Sequence, residues 1–204
     1  MNKILWFFSF FLSVIIIVIL YNYIDISIAE YFHSINNSPL VWVASIVTQG
    51  GEAVYYIIPS LLLYLYFRKR NAHRARLSLF ILATTATSGI LVDILKVIFG
   101  RFRPKMYFSE HLYGFDWFHV SSRMVSFPSG HSATALGVWL AFSMLFPKYR
   151  VIFIPIGIMI ALTRVITTAH YPSDVIAGSY IGIVVTLIYY QKMFPKKTST
   201  TITG

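Results

Sequence analysis

Three short polar clusters hold the residue types that could do chemistry in this chain. The first is Lys96-Val-Ile-Phe-Gly-Arg-Phe-Arg103-Pro104. Lys96 and Arg103 are seven positions apart, so a helix continuing between them would set both on one face. Gly100 and Pro104 leave that continuation open. Cations gathered at the end of an apolar run suit a phosphate, with Arg offering a planar fork and Lys a point charge. Cations that snorkel beside a helix are the plainer reading. The second cluster is Phe127-Pro128-Ser129-Gly130-His131. Ser129 is a suitable N-cap, Gly130 permits close backbone approach, and a helix N-terminus with free N–H groups is a natural anion site. His131 adds a titratable group there; a capped helix start with a bystander histidine is the alternative. The third cluster runs from Thr163-Arg164 to His170-Tyr-Pro-Ser-Asp174. Pro172 argues against one helix through His170 and Asp174. His170 is therefore expected on a loop and Asp174 in the first turn of the next helix, where a carboxylate can orient an imidazole and stabilise imidazolium. His170 is the one histidine with a carboxylate at such spacing.

The elements that must position these clusters are apolar. The 204 residues are 57% hydrophobic and 12% charged, with no cysteine. Soluble domains average about 25% charged residues, so the composition points to a bilayer. The absence of cysteine excludes disulfides and thiolate-held metals. The net charge of +10 falls between apolar runs. Topology and anionic headgroups account for it better than nucleic acid does.

About six spans are expected: Ile4–Tyr21, Ala53–Phe67, Leu77–Phe99, Ser132–Phe146, Val151–Arg164 and Asp174–Tyr190. The first is too long for a signal-peptide core, and the small-residue stretch Ser27-Ile28-Ala29 lies beyond its end. Leu40–Val47 is too short to span and is expected as an outer interfacial helix or a helix start, with Trp42, Tyr113 and Trp117 in an interfacial belt. Lys3, the basic 2–3 loop (Arg68, Lys69, Arg70, Arg74, Arg76), Lys148 with Arg150, and Lys192, Lys196 and Lys197 alternate onto one side, the cytoplasm. The 1–2 loop carries Asp25, Glu30 and Glu52 without Lys or Arg, so it lies outside. The 3–4 and 5–6 loops then lie outside too, although the former carries Arg101, Arg103, Lys105 and Arg123. All three clusters thus fall on one face. That shared face favours phosphoryl transfer to a nitrogen nucleophile over three unrelated helix ends. A divalent metal suits the site poorly, because its cations would repel one. Thr198–Gly204 reads as a disordered tail, and the chain 1–204 as one membrane-embedded domain.

The three clusters, in this order and spacing, resemble the type 2 phosphatidic acid phosphatase superfamily. That superfamily also includes bacterial class A acid phosphatases and vanadium haloperoxidases. The residues carrying the resemblance are Lys96 with Arg103-Pro104, Pro128-Ser129-Gly130-His131, and Arg164 with His170 and Asp174. Thr163 stands where the pattern usually has Ser. Size and span count look like the bacterial phosphatidylglycerophosphatase B-type enzymes. The resemblance implies an all-α helical bundle in the plasma membrane, both termini cytoplasmic, with a site on the extracytoplasmic side that uses no metal or other cofactor. It implies that His170 attacks phosphorus, that Asp174 orients it, and that His131 protonates the leaving oxygen. Lys96, Arg103, Arg164, Ser129 and Gly130 would hold the phosphoryl oxygens. The implied substrate is a membrane lipid phosphate: phosphatidylglycerol phosphate, undecaprenyl diphosphate or phosphatidic acid. A lipid phosphotransferase and a non-enzymatic anion-binding membrane protein are the other readings; no oligomeric state follows from the sequence.

Overall fold

The computed structural model describes residues 3–118, 121 and 125–195. Arg123, Lys196, Lys197 and the expected tail 198–204 lie outside the described residues. Each of the six expected spans is helical. In chain order the helices are α1 (Lys3–Tyr23), α2 (Asp25–Ser34), α3 (Pro39–Val47), α4 (Val54–Phe67), α5 (Ala72–Phe99), α6 (Pro104–Glu110), α7 (Gly130–Leu145), α8 (Arg150–Ile166) and α9 (Pro172–Met193). Five helical stretches are long and apolar enough to cross a membrane: Lys3–Tyr23, Pro39–Phe67, Ala72–Phe99, Pro147–Ile166 and Pro172–Met193. The protein is a polytopic all-α membrane protein.

Helix α7 is the shortest member of the core and sits at its centre, packed on α5, α8 and α9. Its 16 residues extend about 24 Å at 1.5 Å per residue. Its buried residues are small: Ser132, Ala133, Thr134, Ala135, Gly137, Ala141 and Ser143, with Val138. Apolar lipid supplies no hydrophobic drive between helices, so close backbone approach between small residues must hold them. Gly178 and Gly182 of α9 provide that approach. A methyl added at Gly178 would meet the Ser129 backbone, and one added at Gly182 would meet the Ala133 carbonyl. On the other flank, a methyl on Gly157 of α8 would lie 2.9 Å from Trp139 Cβ. Helix α1, by contrast, leaves its Phe, Leu, Ile and Val side chains exposed, as a lipid-facing helix does.

Several local expectations are revised. Helix α5 starts at Ala72, five residues before the expected Leu77, because Asn71 caps it by accepting from Arg74 N at 2.9 Å. It stops at Phe99, since Gly100 adopts a left-handed conformation (φ 55°). No helix continues from Lys96 to Arg103. The chain instead runs extended through Arg101 and re-enters a helix at Pro104. Leu40–Val47 is helical as expected: it lies in α3, joined to α4 by the tight turn Thr48–Gly51. Tyr113 is not a simple belt residue: its hydroxyl turns inward and donates to Tyr21 O at 2.6 Å.

Candidate active site

The site forms where the ends of α5, α7, α8 and α9 meet. Ser129 caps α7, its hydroxyl accepting from Ser132 N at 3.4 Å and Ser132 Oγ at 2.9 Å. Its own backbone N–H donates to Asp174 O at 3.0 Å, which ties the start of α7 to the first turn of α9. Lys96 Nζ lies close to Gly130 at the helix start, 3.4 Å from where a methyl on that residue would be. Lys96 also pairs with Asp93 at 3.3 Å.

His170 lies on the turn after α8. Its backbone N–H and that of Ala169 donate to Arg164 O, each at 3.1 Å. Helix α9 begins at Pro172, so Asp174 falls in the first turn as expected. Asp174 Oδ2 accepts from Tyr171 N at 2.9 Å and from Ser126 Oγ at 2.6 Å, and lies 3.5 Å from His170 Nδ1. Both side chains are buried. Whether burial or the carboxylate governs His170 is open in the sequence, and burial wins. It pushes the imidazole down to about 4, against the hydrogen bond and charge of Asp174 and with Arg103 and Arg164 adding to the fall. His170 is therefore neutral at pH 7, the state a nucleophile needs.

Arg103 and Arg164 both lie within electrostatic range of His170 and of each other. Burial, opposed by the charge of Asp174, pushes the Arg103 guanidinium below its ordinary value, the mark of a cation incompletely compensated by carboxylates. The buried Nε atoms of Arg103 and Arg164 have no hydrogen-bond partner among the described residues. Arg164 Nη1 donates to Thr48 Oγ1 at 2.8 Å. His131 lies within range of Lys96 and Arg164, and its Nε2 is 3.0 Å from Glu52 Oε1. Lys96, Arg103, Ser129, Gly130, His131, Arg164, His170 and Asp174, separated by up to 78 positions, thus share one place.

Several neighbours escape the sequence reading. Arg101 does not join the cationic cradle. Fully buried, it donates to Asp174 Oδ1 at 2.5 Å and to Asp25 Oδ2 at 2.7 Å. Burial alone would lower this guanidinium, but Asp174 and Asp25 hold it above its ordinary value. The rings of Tyr21, Tyr113, Phe115 and Tyr171 surround it. Ser173 completes the cluster, its hydroxyl bonded to both Arg101 and Asp25. The extended backbone at Arg101 is pinned by Phe102 N to Gly114 O (3.1 Å) and Ser126 N to Arg101 O (3.0 Å). One sequence signal existed, a lone carboxylate, Asp25, just beyond the first apolar run. An apolar cavity of about 420 Å³ between α3 and α8 is lined by Leu40, Val43, Val47, Met159, Leu162 and Thr163, the last preceding Arg164 in the chain.

Fold and site together define a multi-span membrane protein with a cationic, histidine-bearing cluster at its helix ends. Residues 76–198 match the PAP2 superfamily, and the chain belongs to it. The lipid A 1-phosphatase of Rhizobium johnstonii is 36% identical over 157 residues, covering 71% of this chain and 64% of that protein. A PA-phosphatase related-family protein of Dictyostelium discoideum is 30% identical over 182 residues, 78% of this chain and 64% of its own length. The chain therefore spans a little under two thirds of these curated relatives. The crystal structure of a transmembrane PAP2-type phosphatidylglycerolphosphate phosphatase from Bacillus subtilis has the same fold, with a TM-score of 0.64 at 19% identity, covering 93% of this chain and 96% of that one. Asp25 and Glu52 lie outside the matched residues 76–198.

Proposed function

We propose that this protein hydrolyses a lipid phosphate through a phosphohistidine intermediate. The observation that carries the reading is the buried, neutral His170, oriented by Asp174 and within electrostatic range of Arg103 and Arg164, whose buried Nε atoms have no hydrogen-bond partner among the described residues. The two guanidinium charges suit a phosphoryl group. His170 attacks phosphorus, and His131 gives its proton to the leaving oxygen. In the second half His131 takes a proton from water, which attacks the phosphohistidine and releases phosphate. Charge spreads over the equatorial oxygens in the transition state, and Lys96, Arg103, Arg164 and the N–H groups at the start of α7 are set to stabilise it. Ser129 caps that start. The donor set is cationic throughout, which suits a substrate anion better than a divalent metal.

The lipid assignment is supported by the PAP2 family and by the long apolar helices that carry the site, and the apolar cavity between α3 and α8 has room for part of an acyl chain. The Lys and Arg distribution supports a site on the extracytoplasmic side, and the bacterial relatives support a bacterial-type plasma membrane. Phosphatidylglycerol phosphate and undecaprenyl diphosphate are candidate substrates, and the lipid A 1-phosphatase relatives add lipid A as a third. Purified protein assayed side by side on these three lipids, with EDTA present, tests the reading. Phosphate release is expected from at least one, together with an acid-labile phosphoenzyme that His170→Ala abolishes. Preference for a water-soluble phosphate, or a phosphoenzyme that persists in His170→Ala, refutes it.

A further inference from the structure

His131 has a carboxylate of its own, supplied by a loop far from the three motif clusters. Glu52 Oε1 lies 3.0 Å from His131 Nε2. The two residues are 79 positions apart, and Glu52 lies outside the part of the chain that matches the family. The segment that presents it is anchored at four points. Thr48 Oγ1 accepts from Arg164 at 2.8 Å. Gly50 O accepts from Tyr56 Oη at 2.7 Å. Gly50 also packs so close to Ile160 that an added methyl would lie 2.9 Å from Ile160 Cδ1. Gly51 lies flat against the His131 side chain, where an added methyl would be 2.9 Å from Cβ, 3.1 Å from Cδ2 and 3.2 Å from Cγ. The two glycines at the turn are thus where the loop closes on α7 and α8, and the next residue is the carboxylate.

We infer that Glu52 is a positioning residue for His131, as Asp174 is for His170. This rests on the proposed phosphatase reading and deepens it: each of its two histidines is held by a carboxylate from another element. The carboxylate commits one ring nitrogen and leaves the other to exchange the proton. In the first half-reaction the His170 N–P bond forms as the P–O bond breaks, its electron pair stays on the leaving oxygen, and the His131 proton moves to that oxygen. In the second half water returns a proton to His131. The Glu52 carboxylate favours the imidazolium, against burial and against Arg164 and Lys96, which face His131 from α8 and α5 and with burial hold the ring below its ordinary value. Glu52 is half exposed, so its charge is partly screened, and orientation of the ring is the larger share of its action.

A role exercised through a general acid has a signature that damage to the fold lacks: it depends on the leaving group. An alkoxide needs a proton to leave, whereas a nitrophenolate does not. The experiment compares kcat/KM, which reports the steps up to leaving-group departure, for a short-chain alkyl lipid phosphate and for p-nitrophenyl phosphate. Glu52→Gln is expected to lose about tenfold on the alkyl ester and less than about threefold on the aryl ester, with Glu52→Asp recovering part of the loss. Gly51→Ala keeps the carboxylate but forces the loop off His131, and is expected to show the same split. His131→Ala gives the full split for comparison. Equal losses on both esters in Glu52→Gln and Gly51→Ala, or a faster Glu52→Gln enzyme, overturn the inference while leaving the phosphatase reading intact. A wild-type protein inactive on both esters would instead remove the reading beneath it.

Discussion

Gly178→Ala is the sharpest structural test of how the site is assembled. Gly178 sits nearly two turns into α9, where the backbone of Ser129 rests on the helix surface. A Cβ there would lie 3.0 Å from Ser129 C and 3.1 Å from Ser129 N, and closer still to Ser129 O. All three are backbone atoms, so no rotamer change relieves the clash. The start of α7 must move off α9 by about 1 Å, and a misplacement of that size costs about 100-fold in rate. Ser129, Gly130 and His131 move together, while His170 and Asp174 stay on their own segment. The damage is therefore to the register between acid and nucleophile. Overpacking adds a stability loss of about 1–3 kcal/mol. Gly89→Ala on α5 is the control, because a methyl there meets nothing within 4 Å. It is expected to keep full activity and gain about 0.5–1 kcal/mol from the helix preference of alanine. The assay is kcat/KM in detergent micelles beside thermal unfolding of the same samples. A Gly178→Ala protein with unchanged kinetics and unchanged Tm would refute the claim that this contact sets the site.

Two further outcomes follow from the buried charges. Arg101→Met leaves Asp25 and Asp174 buried without their shared cation; loss of one partner from a buried ion pair costs about 3–5 kcal/mol. The expected result is a large fall in Tm and in kcat, and a normal protein would show that the cluster is not what holds Asp174. The pH dependence of stability carries the imprint of His170. Its value is about 4 in the folded protein and about 6.5 unfolded. Between those values the unfolded chain binds the extra proton. The contribution is full above about pH 6.5 and is lost as pH falls toward 4, at up to about 1.4 kcal/mol per unit. Thermal unfolding at stepped pH should show that loss, and His170→Gln should flatten it. An unchanged slope in His170→Gln would mean that the histidine is not buried neutral.

Much of this molecule was legible in the residues taken in order. Each expected span is a helix, because a bilayer demands long apolar runs and tolerates few charges inside them. Ser129 as a cap and Asp174 in a first turn were readable from local rules, since capping and proline placement act within a few residues. The family was readable because its residues keep fixed spacings along the chain. What lay outside that reach depends on distance in space. Gly100 turns left-handed and sends Arg101 inward to Asp25, a partner 76 positions away. Glu52 meets His131 only because the glycines at 50 and 51 let the Thr48–Gly51 turn close on α7 and α8. The protonation of His170 was undecidable in sequence because Asp174 and the surrounding arginines pull in opposite directions. Only the burial of the ring tips that balance, and burial is a property of the packed bundle rather than of any segment in it.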